Sequence, residues 1–328
     1  MSRTIHDLFL SLWRLHPAPG RSKRDFLSLQ DLTVEEIDGL LKLALEVKTY
    51  PALFHYTLAT RSLALLFEKP SLRTRVTFEV GMAQLGGHCV YLAPGDIGLG
   101  KREAVKDVAR NLARWVNGLA VRTFSQRVLE EMATEAQVPV INALSDLVHP
   151  CQAVADLLTL QEHKGRLQGL RLAYVGDGNN VAHALLQGAA KTGLHLTLAT
   201  PPGYEPNRAI LAAAEADAAA TGAAIRVVRD PAEAVRDADA VYTDVWTSMG
   251  QEAEAAERRK VFAGFQVNAE LMAQAQPDAL FLHCLPAHRG EEVTDEVLDG
   301  PQSVVLHQAE NRLHVAKALL LALLEPMR

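Results

Sequence analysis

Short apolar runs alternate with longer amphipathic ones along this chain, and they do so in two successive series. The first holds strand candidates at Ser62–Phe67, Cys89–Leu92, Gly118–Arg122 and Val138–Ile141. Helical runs at Arg75–Leu85, Glu103–Trp115 and Gln126–Ala136 separate them. The second series reads as strands at Leu170–Val175, Leu194–Ala199, Ile225–Val228, Ala240–Thr243, Leu280–Leu282 and Val304–Leu306, with helices such as Asn180–Thr192 and Asn207–Thr221 between them. A helix between each pair of strands brings the chain back to start the next strand in the same direction. The alternation therefore predicts parallel sheets with helices on both faces. Two series in 328 residues predict two α/β domains. Helices are expected to link them, one from His149-Pro150-Cys151-Gln152 to about His163 and another from about Glu310 to Leu324. Earlier, Thr33 and Glu36 stand at capping-box spacing before Ile37, Leu40, Leu41 and Ala44.

Composition excludes several classes. The net charge of −6 argues against a general nucleic-acid or membrane-surface protein, and no apolar run approaches the length of a membrane span. Cys89, Cys151 and Cys284 are odd in number and far apart, which fits a reducing cytoplasm rather than a disulfide framework. The segment 1–22 reads as a short amphipathic extension, because Asp7 and Arg14 closely flank its apolar Leu8–Trp13.

Chemistry is expected where loops leave the carboxyl ends of parallel strands. The stretch Ser71-Leu72-Arg73-Thr74-Arg75 follows a strand and opens a helix. Ser71 is a natural N-cap. Arginines in a first turn oppose the positive end of the helix dipole unless an anion sits there, so the stretch reads either as a phosphate cradle or as an exposed basic turn. Arg122 closes a strand, where it can serve a ligand or simply snorkel to water. His149 and Gln152 fall in one helical turn and suit either a carbonyl or amide ligand, or capping.

Gly176-Asp177-Gly178-Asn179-Asn180-Val181 has two glycines of the dinucleotide fingerprint. Val181 replaces the third, and the acidic residue expected some twenty positions later is missing. A nicotinamide dehydrogenase is thereby disfavoured, and the paired Asn side chains suit a carboxylate and an amine. Asp244-Val245-Trp246-Thr247-Ser248-Met249-Gly250 also follows a strand; Asp244 can hold an ammonium group or cap a helix. The polar run Gln251–Lys260 beyond it reads as a mobile loop. In His283-Cys284-Leu285-Pro286 the thiol is either an apolar plug or a partner of a reacting amine, and zinc-ligand spacing around it is poor. Arg312, read as lying in the first turn of the last helix, repeats the anion argument made for Arg73.

Taken together and in this order, these segments resemble the aspartate/ornithine carbamoyltransferase family, and within it the members that act on ornithine, from about Lys23 to Leu324. The resemblance implies a two-domain α/β enzyme that moves a carbamoyl group from carbamoyl phosphate to the side-chain amine of L-ornithine, a step of arginine biosynthesis or of urea-cycle type. It implies a carbamoyl-phosphate domain over 23–148 and 312–328 and an ornithine domain over 149–311. Carbamoyl phosphate would meet Ser71, Leu72 through its backbone, Arg73, Thr74, Arg122, His149 and Gln152. Ornithine would meet Asn180, Asp244, Ser248 and Met249. Cys284 and Leu285 would close over the reacting groups, and Arg312 would assist at the carbamoyl oxygen. Arg122, His149, Cys284 and Arg312 are the catalytic candidates. The resemblance further implies no metal or organic cofactor, a cytoplasmic location, and a homotrimer or an assembly of trimers. The sequence departs from the family pattern at Leu72 and at Gly98, where relatives often carry a side chain that reaches the neighbouring subunit's ligand.

Overall fold

The computed structural model of the chain describes residues 23–100 and 102–325, so the extension expected over 1–22 lies outside the described residues. Two compact units are present, with cuts between Leu158 and Thr159 and between Glu310 and Asn311. The helices Pro150–Lys164 and Val305–Leu324 run through these cuts. The resemblance begins the ornithine domain at His149, whereas contacts keep the stretch from His149 to Leu158 with the first unit.

The first unit holds β1 (Ser62–Phe67), β2 (His88–Leu92), β3 (Gly118–Arg122) and β4 (Val140–Leu144), all parallel in the order β2-β1-β3-β4. β1, β3 and β4 are buried along nearly their whole length, which is why they read as unbroken apolar runs. Alternate residues Ala64, Leu66, Leu119, Val121 and Val140 form one face and pack with Val108, Leu129 and Met132 from the flanking helices. β2 is an edge strand and only partly covered. The chain leaves β1 for β2 on one side, then returns to place β3 on the other. Such a reversal opens a crevice at the carboxyl ends of β1 and β3. The register puts Phe67 opposite Arg122, and an irregularity in the β3–β4 pairing between Val121 and Arg122 moves Arg122 opposite Leu144.

The second unit holds β5 (Arg171–Val175), β6 (His195–Ala199), β7 (Ile225–Val228), β8 (Ala240–Thr243) and β9 (Leu280–His283), parallel in the order β7-β6-β5-β8-β9. Here the reversal falls between β5 and β8. Ala173, Val175, Ala199, Val241 and Phe281 line one face, with Trp246, Phe262 and Val267 packed on it.

The structure corrects two sequence expectations. Val304–Leu306 is not a strand: the helix begins at Val305, and Leu306 is 78% exposed on its first turn. Three apolar residues in a row cannot distinguish a strand from a helix start by period alone. Gln251–Lys260 is not a loop throughout, because it forms a 3-10 turn at Glu252–Glu254 and the start of helix Ala255–Phe262.

The capping box is present as expected. Thr33 Oγ1 accepts from the Glu36 N–H at 3.2 Å, and Glu36 Oε2 accepts from the Thr33 N–H at 2.9 Å, while Arg24 grips both carboxylate oxygens of Glu36. Replacing Thr33 by Ala removes one half of this box and is expected to cost about 1 kcal/mol. Glu36→Ala should cost more, since it also deprives the nearly buried Arg24 of its fork partner. Urea denaturation of the intact chain checks the order of the two variants.

Candidate active site

In the first unit, the helix Leu72–Gln84 begins at the carboxyl end of β1, with Ser71 as its N-cap; Ser71 Oγ accepts from the Thr74 N–H at 3.2 Å. No acidic residue stands in the first turn to meet the dipole. Leu72 turns its side chain outward, 74% exposed. Arg75 is otherwise engaged, with its guanidinium 3.7 Å from the centre of the Tyr91 ring and paired with Glu79 at 3.0 Å.

Arg122, His149, Gln152 and Arg312 are all buried in this unit, so snorkelling does not describe Arg122. Arg312 donates from Nη2 to Thr74 Oγ1 at 2.6 Å, which ties the last helix to the Ser71–Arg75 turn. It lies well inside the helix Val305–Leu324 rather than in its first turn, so the dipole argument made from sequence does not apply to it. Gln152 gives its amide N–H to Asp156 at 2.8 Å, and its Oε1 is buried without a hydrogen-bond partner, as is His149 Nδ1. Burial, helped by the nearby positive charges of Arg312 and Arg122, holds the His149 pKa well below the usual imidazole range. The ring is thus a neutral hydrogen-bonding group at physiological pH. Together these residues present cationic forks and neutral polar atoms in a desolvated place, a set that can bind a phosphate and polarise a carbonyl.

A second layer supports this set. Lys69 is buried, pairs with Asp146 and lies 4.3 Å from the centre of the Phe124 ring; Glu68 takes the Thr123 hydroxyl, and the Glu68 N–H donates to the Arg122 carbonyl at 2.8 Å. The turns after β1, β3 and β4 are thereby bound to one another. Sequence reading gave neither residue a role, although a charged pair directly at the end of an apolar strand was a usable signal.

In the second unit, Asn179 caps the helix Asn180–Thr192, its Oδ1 accepting from Val181 and Ala182. Its amide donates to Asp244 Oδ2 at 2.7 Å, and the Cys284 thiol donates to Asp244 Oδ1 at 2.9 Å. Asp244 is therefore not a helix cap, and Cys284 is not a plain apolar plug. Asn180 follows in the helix's first position. Ser248 and Met249 lie on the loop beyond Asp244, where the Ser248 N–H donates to Gln251 Oε1 at 3.1 Å. Leu285 holds a left-handed backbone, φ +58°, and its N–H donates to His283 Nδ1 at 2.8 Å. Gly178 admits no side chain, since a Cβ there would meet the backbone of Tyr204, Glu205 and Pro206 at 2.3–2.7 Å.

Arg258 was hidden from sequence reading inside the supposed loop. It is buried, and its Nη1 donates to Asp177 Oδ2 at 2.7 Å and to the Trp246 carbonyl at 2.8 Å, so that it joins the Asp177 and Asp244 loops. Burial pushes the Asp177 pKa up, against the lowering influence of Arg258.

Asp244, His283 and Cys284 have ligand atoms within 4.8 Å of one another. Yet His283 Nδ1 accepts from Leu285, which puts the ring proton on Nε2, facing Glu292 Oε1 at 3.1 Å. Neither ring nitrogen then offers a lone pair to a metal. This donor set suits orientation of an amine better than metal ligation. No helix among the described residues is long and apolar enough to cross a membrane.

Comparison with known proteins assigns a family model to each half of the chain. The family model for the aspartate/ornithine carbamoyltransferase carbamoyl-P binding domain matches residues 24–162, and that for the Asp/Orn binding domain matches 168–323. An ornithine carbamoyltransferase from Anoxybacillus flavithermus is 56% identical over 92% of this chain and 96% of its own length. One from Thermococcus kodakarensis is 54% identical over 90% of this chain and 95% of its own. The solved ornithine carbamoyltransferase of Pyrococcus furiosus superposes with a TM-score of 0.91 at 50% identity, covering 95% of this chain and all of that one.

The neutral state of His149 has a consequence for stability. Between its lowered folded pKa and about 6.5, the unfolded chain binds a proton that the folded chain does not, so stability falls as pH drops below about 6.5. His149→Asn should flatten that part of the profile, as measured by denaturant midpoints between about pH 7 and pH 5. An unchanged slope would show that other groups govern it.

Proposed function

The chain belongs to the aspartate/ornithine carbamoyltransferase family, and on that footing we propose that it transfers the carbamoyl group of carbamoyl phosphate to the side-chain amine of L-ornithine, yielding L-citrulline and phosphate. The observation that carries the reading is the buried group Arg122, His149, Gln152 and Arg312 beside the Ser71–Thr74 turn. The phosphate is held by Ser71, the Leu72 backbone, Arg73 and Thr74. Arg122, His149 and Gln152 engage the carbamoyl group, and Arg312 stands at its oxygen. Ornithine is bound by Asn180, Asp244, Ser248 and Met249, with Cys284 and Leu285 closing over the reacting groups.

In the proposed reaction the neutral amine attacks the carbamoyl carbon, the new C–N bond forms, the C–O bond to phosphate breaks, and the amine gives up a proton. Negative charge growing on the carbonyl oxygen is met by Arg122, His149 and Arg312, and the leaving phosphate by Arg73 and the helix N-terminus. The amine has a pKa of about 10.4 in water and must be neutral to attack. Asp244, fixed by Asn179 and Cys284, orients it. Holding two substrates in line supplies much of the rate.

We also propose a cytoplasmic homotrimer, alone or in larger assemblies. Cys89, Cys151 and Cys284 are free thiols, which fits a reducing compartment. Leu72, Val76 and Val80 leave an exposed apolar stripe at helical spacing, and the edge strand β2 exposes Val90, all suited to burial by another copy.

Carbamoyl-phosphate-dependent turnover should appear with L-ornithine and not with N-acetylornithine, putrescine or L-aspartate, and should climb between about pH 6 and pH 9 as the bound amine deprotonates. Turnover only with another acceptor would overturn the assignment of the Asp244–Met249 loop, and a flat profile would remove amine deprotonation from the controlling step. Sedimentation should give a trimer or a multiple of it, with Val76→Lys and Val80→Lys together shifting the protein to smaller species. A wild-type monomer would refute the assembly.

A further inference from the structure

The two substrate sets occupy the carboxyl ends of the strands, but the second sheet carries another concave feature at its opposite, amino-terminal edge. A cleft of about 570 Å³ opens there between the first residues of β5, β6 and β7 and the short helix Pro231–Val235. That volume falls in the range of small-molecule sites. Arg171 and Arg236 line it, and among the described residues neither guanidinium has a carboxylate partner. Arg226 lines it too, but is already paired with Glu233. His195 Nδ1 accepts from the Ala224 N–H at 3.0 Å, which leaves the Nε2 side of the ring to donate. Thr197, next but one along β6, adds a hydroxyl on the same face. With Glu233 neutralised by Arg226, the lining keeps two uncompensated forks against one carboxylate, Asp237, in a chain whose net charge is −6.

We propose that this cleft is a binding site for a small polyanion, a phosphorylated or polycarboxylate metabolite gripped by Arg171 and Arg236 and hydrogen-bonded by His195 and Thr197. Guanidinium forks match the paired oxygens of both anion types, and Arg is the residue that makes such bidentate contacts. The concavity favours a small molecule over an acidic protein surface. The site is distinct from both substrate sets, since none of its residues lies on the loops that follow β5, β8 or β9. It does not depend on which acceptor the enzyme uses.

Hydrogen–deuterium exchange of the full chain, read by mass spectrometry, tests it with pyrophosphate and citrate as probes and chloride at matched ionic strength as control. The expected result is saturable protection of peptides covering 194–198 and 224–238 by at least one polyanion. Arg171→Gln with Arg236→Gln should weaken that protection by about tenfold or more and leave carbamoyl transfer at its wild-type rate. A response to pyrophosphate alone identifies a phosphorylated ligand, and a response to citrate alone a polycarboxylate. Absence of protection by either probe, equal protection by chloride, or equal protection in an active double variant would each overturn the proposal.

Discussion

The meeting of Asn179 with Asp244, and the placing of the Ser71–Arg75 turn beside Arg122, depend on where each parallel sheet reverses its strand order. In the first unit the reversal separates β1 from β3, and the turn that caps the helix Leu72–Gln84 and the strand-ending Arg122 flank that crevice. In the second it separates β5 from β8, and Asn179 and Asp244 leave those two strands to meet across 2.7 Å. Loops diverge from each other at these points because one crossover lies above the sheet and the next below it. The cores, filled by alternate Leu, Val and Ala, hold those ends in register, and the polar residues inherit their spacing from that packing.

The alternation of strand and helix was legible without coordinates because buried parallel strands are apolar throughout and bounded by Gly, Pro or Asp. The candidate loops were legible for a related reason: a polar residue at the end of such a strand stands out, as Arg122, Asp244 and Cys284 do. Legibility stopped where one local pattern fits two structures. Val304–Leu306 fits a strand or a helix start, and misreading it put Arg312 more than one turn too near the helix end. It stopped also where a residue acts through tertiary contact. Nothing local distinguishes Arg258 from Arg259 or Lys260, yet only Arg258 is drawn inward to Asp177 and the Trp246 carbonyl.

Both candidate sets share a design principle, in which a residue expected to touch ligand is fixed by another that is not. Gln152 is held by Asp156, Arg312 by Thr74, Asp244 by Asn179 and Cys284, and the Leu285 N–H by His283, whose ring is in turn anchored on Glu292. Orientation is settled before any substrate arrives, which reduces the ordering cost charged to each binding event. The buried, uncharged His149 belongs to the same scheme, because a neutral ring among two arginines can share a carbonyl with them without adding to their repulsion.

Leu72 sits in the Ser71–Arg75 turn, proposed to hold phosphate, with its side chain turned out to solvent. A position that contributes only its peptide group is free, as far as the reaction goes, to drift among residue types compatible with a helix start. Its identity is then answerable to whatever covers the outer face of that helix rather than to the ligand. On the proposed reading, two selective regimes meet on adjacent residues of one helical turn, the assembly constraining Leu72 and the chemistry constraining Arg73.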